Sequence, residues 1–311
     1  MSAIRSLRAQ DIPASKALLD TIFRYSRGVY DQSVVTDFPM VFSSSNFHNC
    51  RVVELQNRIL SHAAIWPREM TIHSRCFKVG VIVLVATDPQ FRNAGHASML
   101  MRDLQKTMVR ENYDFGLLWT GVPEFYHQLG WETIVPRGWS VQLHAYDRMT
   151  ARAIDCELME YQEQLHFDSL TALHDEEPVR MTRDPDCFRS LLNLPGMDVS
   201  VAVKNRLVMA YLVRGHAVNK SGLVEYGGHP HAIIRLVTES VKRHPLSAEG
   251  LRWQIFHSYP ELLEWVRESK YLHYPMSDSK GTGTEMILVL RSDGLPQPIR
   301  KDLFVWGLDQ A

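Results

Sequence analysis

The apolar positions of the chain fall into distinct patterns. From Val79 to Ala86 they run without a polar break, which predicts a strand buried on both faces, because a half-exposed strand alternates. From Gly95 to Arg110 they recur at helical spacing, with Ala97, Leu100, Met101, Leu104 and Met108 on one stripe; this predicts an amphipathic helix. Between the two lies the polar stretch "DPQFRNA". Upstream, "IRSL" reads as a strand. Asp11 then caps a helix with Pro13 in its first turn and Leu18, Leu19, Ile22 and Phe23 on its apolar face. Residues 26–49 are irregular and rich in Ser, Asn and aromatics. "RVVELQNRILSHAAIW" reads as strand, Gln56-Asn57 turn and strand. "FGLLWT" and "SVQLHAY" are further strands, and "PEFYHQLGW" is a short helix closed by Gly130. Past Asp147 the chain turns acidic, and "CELMEYQEQLHFDSL" reads as a helical connector.

Beyond the connector the pattern starts again. "QNRILSHAAI" (56–65) resembles "KNRLVMAYLV" (204–213), and a constant offset of 137 residues separates "FGLLW" from "RWQIF" and Pro123-Glu124 from Pro260-Glu261. The same offset carries Gly95 to Ala232, where "AIIRLVTESVKRH" begins. A duplicated α/β (α+β) unit follows, with residues 1–147 as the first domain, 148–175 as a helical connector and 176–311 as the second domain.

Composition narrows the function. The 311 residues are 45% hydrophobic and 22% charged, with a net charge of −1, as in a soluble two-domain protein. No basic excess supports nucleic-acid binding. The longest apolar run is too short to span a membrane, and "MSAIRSLRAQ" lacks the features of a signal peptide. Cys50, Cys76, Cys156 and Cys187 have no CxxC spacing, so free thiols and a cytoplasmic location are expected. The 14 His show no HExxH spacing and imply no metal.

The polar stretch carries the chemistry. A loop that ends a buried strand and feeds straight into a helix aims unpaired backbone N–H groups and the helix dipole at one point, an anion site. Gly95 permits close backbone approach, Arg92 adds a planar cation, and Ala94, Ala97 and Ser98 keep the surroundings small.

Arg92-Asn93-Ala94-Gly95-His96-Ala97 resembles the Arg/Gln-x-x-Gly-x-Gly/Ala acetyl-CoA-binding motif of the GNAT (GCN5-related N-acetyltransferase) superfamily. "EFYHQLGW" is similar to that family's "FYxxLGF" helix, with Tyr126 at the tyrosine position. The resemblance spans about residues 3–145 in element order. Asn93 and Ala94 replace the family's frequent Gly and Arg, which removes one cationic contact to phosphate.

The resemblance implies, for each domain, a central mixed, mostly antiparallel sheet flanked by helices. It implies that backbone groups of Val85 and Thr87 pair with pantetheine and that amides from Arg92, Asn93, Ala94, Gly95, His96 and Ala97 hold the pyrophosphate, with Ser98 adding a hydroxyl. Acetyl-CoA is then a co-substrate, and an amine attacks its thioester directly. The Val85 N–H stabilises the oxyanion and Tyr126 protonates the leaving thiolate. Glu54 and His62, on strands that line the acceptor side, are alternative general bases. The 26–49 loop, with Asp31 and Asp37, forms one wall of the acceptor site.

The second half reads "YGGHPHAII" where the motif would stand, and Tyr126 maps to Leu263. This half is expected to be a degenerate GNAT-like domain without a cofactor site, similar to those in tandem acetyltransferases, some of which place a C-terminal carboxylate (here that of Ala311) in the active site. The expected function is N-acetylation of a small-molecule or peptide primary amine, with no nucleic-acid or membrane partner; a homodimer is compatible with it. The alternative is a non-catalytic CoA-binding sensor or scaffold.

Overall fold

A computed structural model of the chain describes residues 3–135, 138–143, 154–217, 220–243, 251–256, 258–268, 272–275, 284–291 and 303. Ala311 and the boundary near Asp147 lie outside the described residues.

The first half runs β1 (Ala3–Ser6), α1 (Ile12–Phe23), α2 (Val34–Asp37), β2 (Cys50–Leu55), β3 (Arg58–Ile72), β4 (Arg75–Thr87), α3 (His96–Arg110), β5 (Phe115–Thr120), α4 (Pro123–His127), β6 (Glu132–Thr133) and β7 (Gly138–Leu143). The second runs β8 (Glu157–Glu160), α5 (Glu163–Asp175), β9 (Val179–Thr182), α6 (Pro185–Leu192), β10 (Met197–Lys204), β11 (Leu207–Ala217), β12 (Lys220–Gly228), α7 (Pro230–Arg243), β13 (Leu251–Phe256), α8 (Pro260–Glu268), β14 (Leu272–Pro275) and β15 (Thr284–Val289). From β2 and from β10 onward the order repeats, three strands, helix, strand, helix and two strands, while β9 has no counterpart in the first half. Both early hairpins close through a pair of left-handed residues, Gln56-Asn57 and Asn205-Arg206, the conformation whose twist suits a two-residue hairpin. One expectation is corrected. Glu157–Glu160, read as helix, is strand β8 paired with β10, and helix begins only at Glu163. Four residues are too few for acidic composition to outweigh pairing with a neighbouring strand.

Among the described residues strand pairing is antiparallel except between β4 and β5. The first sheet runs β1-β2-β3-β4-β5-β15-β6, with β9 added beside β3. The others are β12-β11-β10-β8 and β13-β7-β14. Two strands have therefore changed places. β15, from the end of the second half, lies between β5 and β6, while β7, from the first half, lies between β13 and β14. Each half completes the other's sheet. One apolar core accordingly runs through both, from Val81 and Leu117 to Val141 and Trp253.

A second cluster lies on the other face of the first sheet. There Leu100, Met101, Leu104 and Met108 of α3 pack with Ile65, Ile82, Leu118, Tyr126, Trp131 and Met286. The α3 stripe is thus the one its sequence period predicts. Among the described residues no helix is long and apolar enough to cross a membrane.

Candidate active site

The site starts from a defect in a strand. β3 and β4 pair His62 with Ala86 and Ala64 with Val83, so three steps on β4 oppose two on β3. The extra residue is a β-bulge, and Leu84 within it has φ of 55°, strained for a side chain branched beyond Cβ. His62 ties this bulge down. Its Nδ1 lies 3.0 Å from the Leu84 carbonyl oxygen, a hydrogen bond in which the ring N–H donates, and its ring stacks on Phe42. Burial drives the His62 pKa down to about 4, although the carbonyl bond opposes the shift. The ring is neutral near pH 7, and its buried Nε2 has no hydrogen-bond partner among the described residues.

β4 and β5 pair only through Val79–Phe115, Gly80–Gly116 and Val81–Leu117. Past Val81 the ladder stops, and the bulge lies on the strand bordering the gap that follows. Val85 and Thr87 lie on that strand. The Thr87 hydroxyl is 2.8 Å from the Ser61 hydroxyl. The sheet therefore carries a slot where an extended chain can take unused backbone groups.

At the end of the slot β4 breaks into the polar loop. The Asp88 carboxylate accepts from the Gln90 amide at 2.9 Å and pairs with Arg58 at 2.5 Å, while Arg58 lies over the Phe91 ring. Asn93 and Gly95 are both left-handed, at φ of 64° and 79°. Successive residues of this kind turn backbone N–H groups toward one concavity. Gly95 is the N-cap of α3, with no side-chain cap, and a Cβ added to it would meet nothing within 4 Å. The helix thus presents uncovered amides to open space. Arg92, Asn93, Ala94 and Gly95 are exposed, and His96, Ala97 and Ser98 are half-buried.

Tyr126 lies on α4, in the same cluster as α3, with Val85 packed against it. Its ring meets Phe125 and Trp131 edge-on. Burial raises its pKa to about 12, partly offset by the Thr120 hydroxyl. The phenol is a proton donor at neutral pH.

The remaining sequence candidates are tied to other groups. Glu54 accepts from Arg5 Nε at 2.5 Å, and Arg5 also holds Asp11 at 2.6 and 2.9 Å. Asp37 pairs with Arg24, which is fully buried. That pair ties the 26–49 loop to α1, and its charge is already neutralised; Asp31 is exposed. Among the described residues no group of three or more His, Cys, Asp or Glu is placed to hold a metal. The sequence reading did not single out Leu84, whose strain no residue preference announces, or Glu285 of β15, an acid inside the apolar run "TEMILVL".

Comparison with known proteins bears on the fold. Residues 3–134 match the family model of an acetyltransferase (GNAT) domain. No curated protein sequence matches the chain. Solved structures with the same fold include a GCN5-related N-acetyltransferase from Kribbella flavida, with TM-score 0.66, 13% identity and coverage of 93% of this chain and 71% of that one. Another from Anabaena variabilis gives 0.65 and 12%, covering 94% and 73%. Eis1 from Mycobacterium abscessus gives 0.59 and 12%, covering 93% and 74%. At such identities the likeness speaks for the fold, and the family model speaks for the lineage. Residues 3–134 are similar to a GNAT acetyltransferase domain, and the chain shares the fold of GCN5-related N-acetyltransferases.

Proposed function

We propose that the protein is an acetyl-CoA-dependent N-acetyltransferase that acetylates a primary amine, on a small molecule or a peptide, by direct attack in a ternary complex. The observation that carries this reading is a convergence at one gap in one sheet. A strained bulge and the end of the β4–β5 ladder border the gap, β4 runs on into the loop before the uncapped start of α3, and a buried tyrosine lies in the cluster that α3 joins. Amides from Arg92 to Ala97, with the Ser98 hydroxyl, suit a pyrophosphate, and backbone groups of Val85 and Thr87 suit pantetheine. When bound, acetyl-CoA supplies an activated acetyl thioester.

The chain's own residues do the rest. The Val85 N–H faces charge that develops on the thioester oxygen. Tyr126 gives a proton to the departing sulfur. A phenol near 12 is a weak acid toward an ordinary thiolate, but the desolvation that raises Tyr126 also raises a thiolate formed beside it, which narrows the mismatch. We further propose that residues 1–147 hold the cofactor-binding site and 176–311 hold no second one, joined by 148–175, and that the protein acts in the cytoplasm, alone or as a homodimer.

The test is a thermal-shift titration with acetyl-CoA on wild type and Gly95→Glu. At about a hundred times its dissociation constant a ligand stabilises by about 2.7 kcal/mol. Gly95→Glu puts an anion into the phosphate space and strains a left-handed position, so the shift is expected to vanish while the variant stays folded. A shift in wild type without thiol release from acetyl-CoA in the presence of any amine would favour the CoA-binding scaffold. No shift in wild type would remove the acetyltransferase reading.

A further inference from the structure

Five carboxylates are buried among the described residues, and four of them have partners. Asp11 is held by Arg5. Asp20 accepts from Lys16 and the Val34 amide. Glu177 accepts from the Tyr259 hydroxyl, and Glu225 is held by Arg183 and Tyr211. The fifth, Glu285, has a buried Oε1 with no hydrogen-bond partner among the described residues. An unpaired acid is costly to bury, so its position in the fold asks for a reason.

Glu285 sits on β15, the strand that the second half places in the first sheet, opposite Trp119 of β5. β15 alternates. Met286 and Leu288 face the cluster of α3 and Tyr126. Ile287 and Val289 face the other core, with Trp119, and Glu285 has their parity. The parallel register Val81–Leu117, carried on by two residues, sets Trp119 level with Val83, beside the bulge at Leu84. Glu285 is therefore one strand beyond the gap, about 5 Å from β5, at the height of Val85 to within roughly two residues. Helices α3 and α4 close one face of the gap, so an acceptor reaches a thioester in the slot from the other face. That is the face Glu285 occupies.

We propose that Glu285 receives the acceptor's ammonium group and takes its first proton, so that the second half of the chain supplies the amine-recognising group of the first half's site. This rests on the acetyltransferase reading above. Burial, with no opposing interaction, pushes the Glu285 carboxyl up to about 8, within reach of an ammonium group that must be deprotonated near neutral pH. On the adjoining strands its face meets Trp119 and Leu117 of β5. The titratable neighbour there is Glu132 of β6, paired with Ile287 and exposed. Among the described residues of β5, β6 and β15 there is no Lys, Arg or His.

The proton count closes. An ammonium has three N–H bonds and the amide product keeps one. The first proton lost passes to Glu285 and then to solvent. The second leaves the nitrogen for solvent once the C–N bond has formed and the C–S bond has broken. The sulfur takes a proton from Tyr126, which solvent replenishes.

The experiment compares wild type with Glu285→Gln. Acetyl-CoA should stabilise both alike, because Glu285 lies on the opposite face from α3. Thiol release is then followed with spermidine, a lysine-containing peptide and glucosamine as acceptors. For any amine the wild type accepts, Glu285→Gln should lower kcat/KM at least 100-fold with the KM for acetyl-CoA unchanged. It should also abolish the rise in rate as pH approaches 8. Glu285→Asp should recover part of the loss. A readout that needs no accepted amine is the Glu285 carboxyl resonance, assigned by difference between labelled wild type and Glu285→Gln. With CoA bound, n-butylammonium chloride should move that resonance and lower its titration midpoint by at least one pH unit. Full activity in Glu285→Gln, or a resonance that ignores butylammonium while acetyl-CoA still binds, overturns the proposal. Failure of wild type to bind acetyl-CoA removes the underlying reading instead.

Discussion

The two halves of the chain arrive at the same junction and finish it differently. In the first, β4 ends at Thr87 and α3 begins at His96, with a loop of mixed left-handed residues between. In the second, β12 ends at Gly228 and α7 begins at Pro230, leaving His229 alone as the connection. Proline in the first turn removes a backbone donor at the point where the first half exposes its donors. Gly228 has φ of 99°, and a Cβ there would sit 2.3 Å from the Met209 carbonyl oxygen, so the chain is pressed against β11. The gap beside the strand differs too. β12 and β13 belong to separate sheets, yet the Tyr226 hydroxyl donates to the Gln254 carbonyl at 2.8 Å and spans them. Trp253 and Tyr259 pack on the Tyr226 ring. From β2 in the first half and β10 in the second, the order of strands and helices is common to both. What separates a slot from a filled seam is one loop and a few side chains.

The largest expected effect tests whether the second half is a support. Glu225 is fully buried and takes Arg183 at 2.9 and 2.6 Å and the Tyr211 hydroxyl at 2.7 Å. Arg183→Met leaves that charge unpaired and should cost about 3–5 kcal/mol in urea unfolding, whereas Arg183→Met with Glu225→Leu should recover much of it. The pH dependence has a definite sign. Burial works against the Glu225 charge, but Arg183 and His174 outweigh it and hold the carboxyl at about 2, against 4.5 for an ordinary glutamate. As pH falls, the unfolded chain takes the proton first. The contribution is complete above about 4.5 and is lost as pH drops toward 2. A pH-independent cost for Arg183→Met across that range would break the account.

Next in size is Tyr126→Phe, which keeps the ring contacts with Phe125 and Trp131 and removes the proton. A loss of about 100- to 1000-fold in kcat, with acetyl-CoA binding unchanged, is expected of a general acid. An unaltered kcat would make Tyr126 a packing residue like Leu263, its counterpart in the second half.

How much of this could be read from the chain depends on how local the physics is. The doubly buried strand, the α3 stripe and Gly95 are local or periodic features, and the structure has them where their spacing places them; the 137-residue offset holds between α4 and α8, whereas α7 starts at Pro230, two residues before the Ala232 it implies. The exchange of β7 and β15 was not legible. Both are short apolar strands that suit either slot, and the choice between them is made by long-range pairing that composition does not record. The bulge at Leu84 was hidden for a different reason. Leucine has no left-handed preference, so only the surroundings, chiefly the His62 bond to the Leu84 carbonyl, hold it there. Glu285 did leave a trace, a lone acid in an apolar strand. Its meaning depends on which sheet that strand joins.

The smallest effect sharpens the comparison most. Tyr226→Phe deletes the bond to the Gln254 carbonyl and should cost about 1 kcal/mol, or about 2 °C in Tm at this size. The informative quantity is the stoichiometry of acetyl-CoA binding by calorimetry. Loss of the bridge loosens the seam between β12 and β13 but restores no loop. With His229 as the only residue between Gly228 and Pro230, there is still no row of free amides to receive a phosphate. Binding should remain at one acetyl-CoA per chain. Two per chain would mean that filling the gap was enough to silence the second half and that the loop is not what distinguishes the two. One per chain places the difference in the loop, where the first half has left-handed turns at Asn93 and Gly95 and the second has a proline.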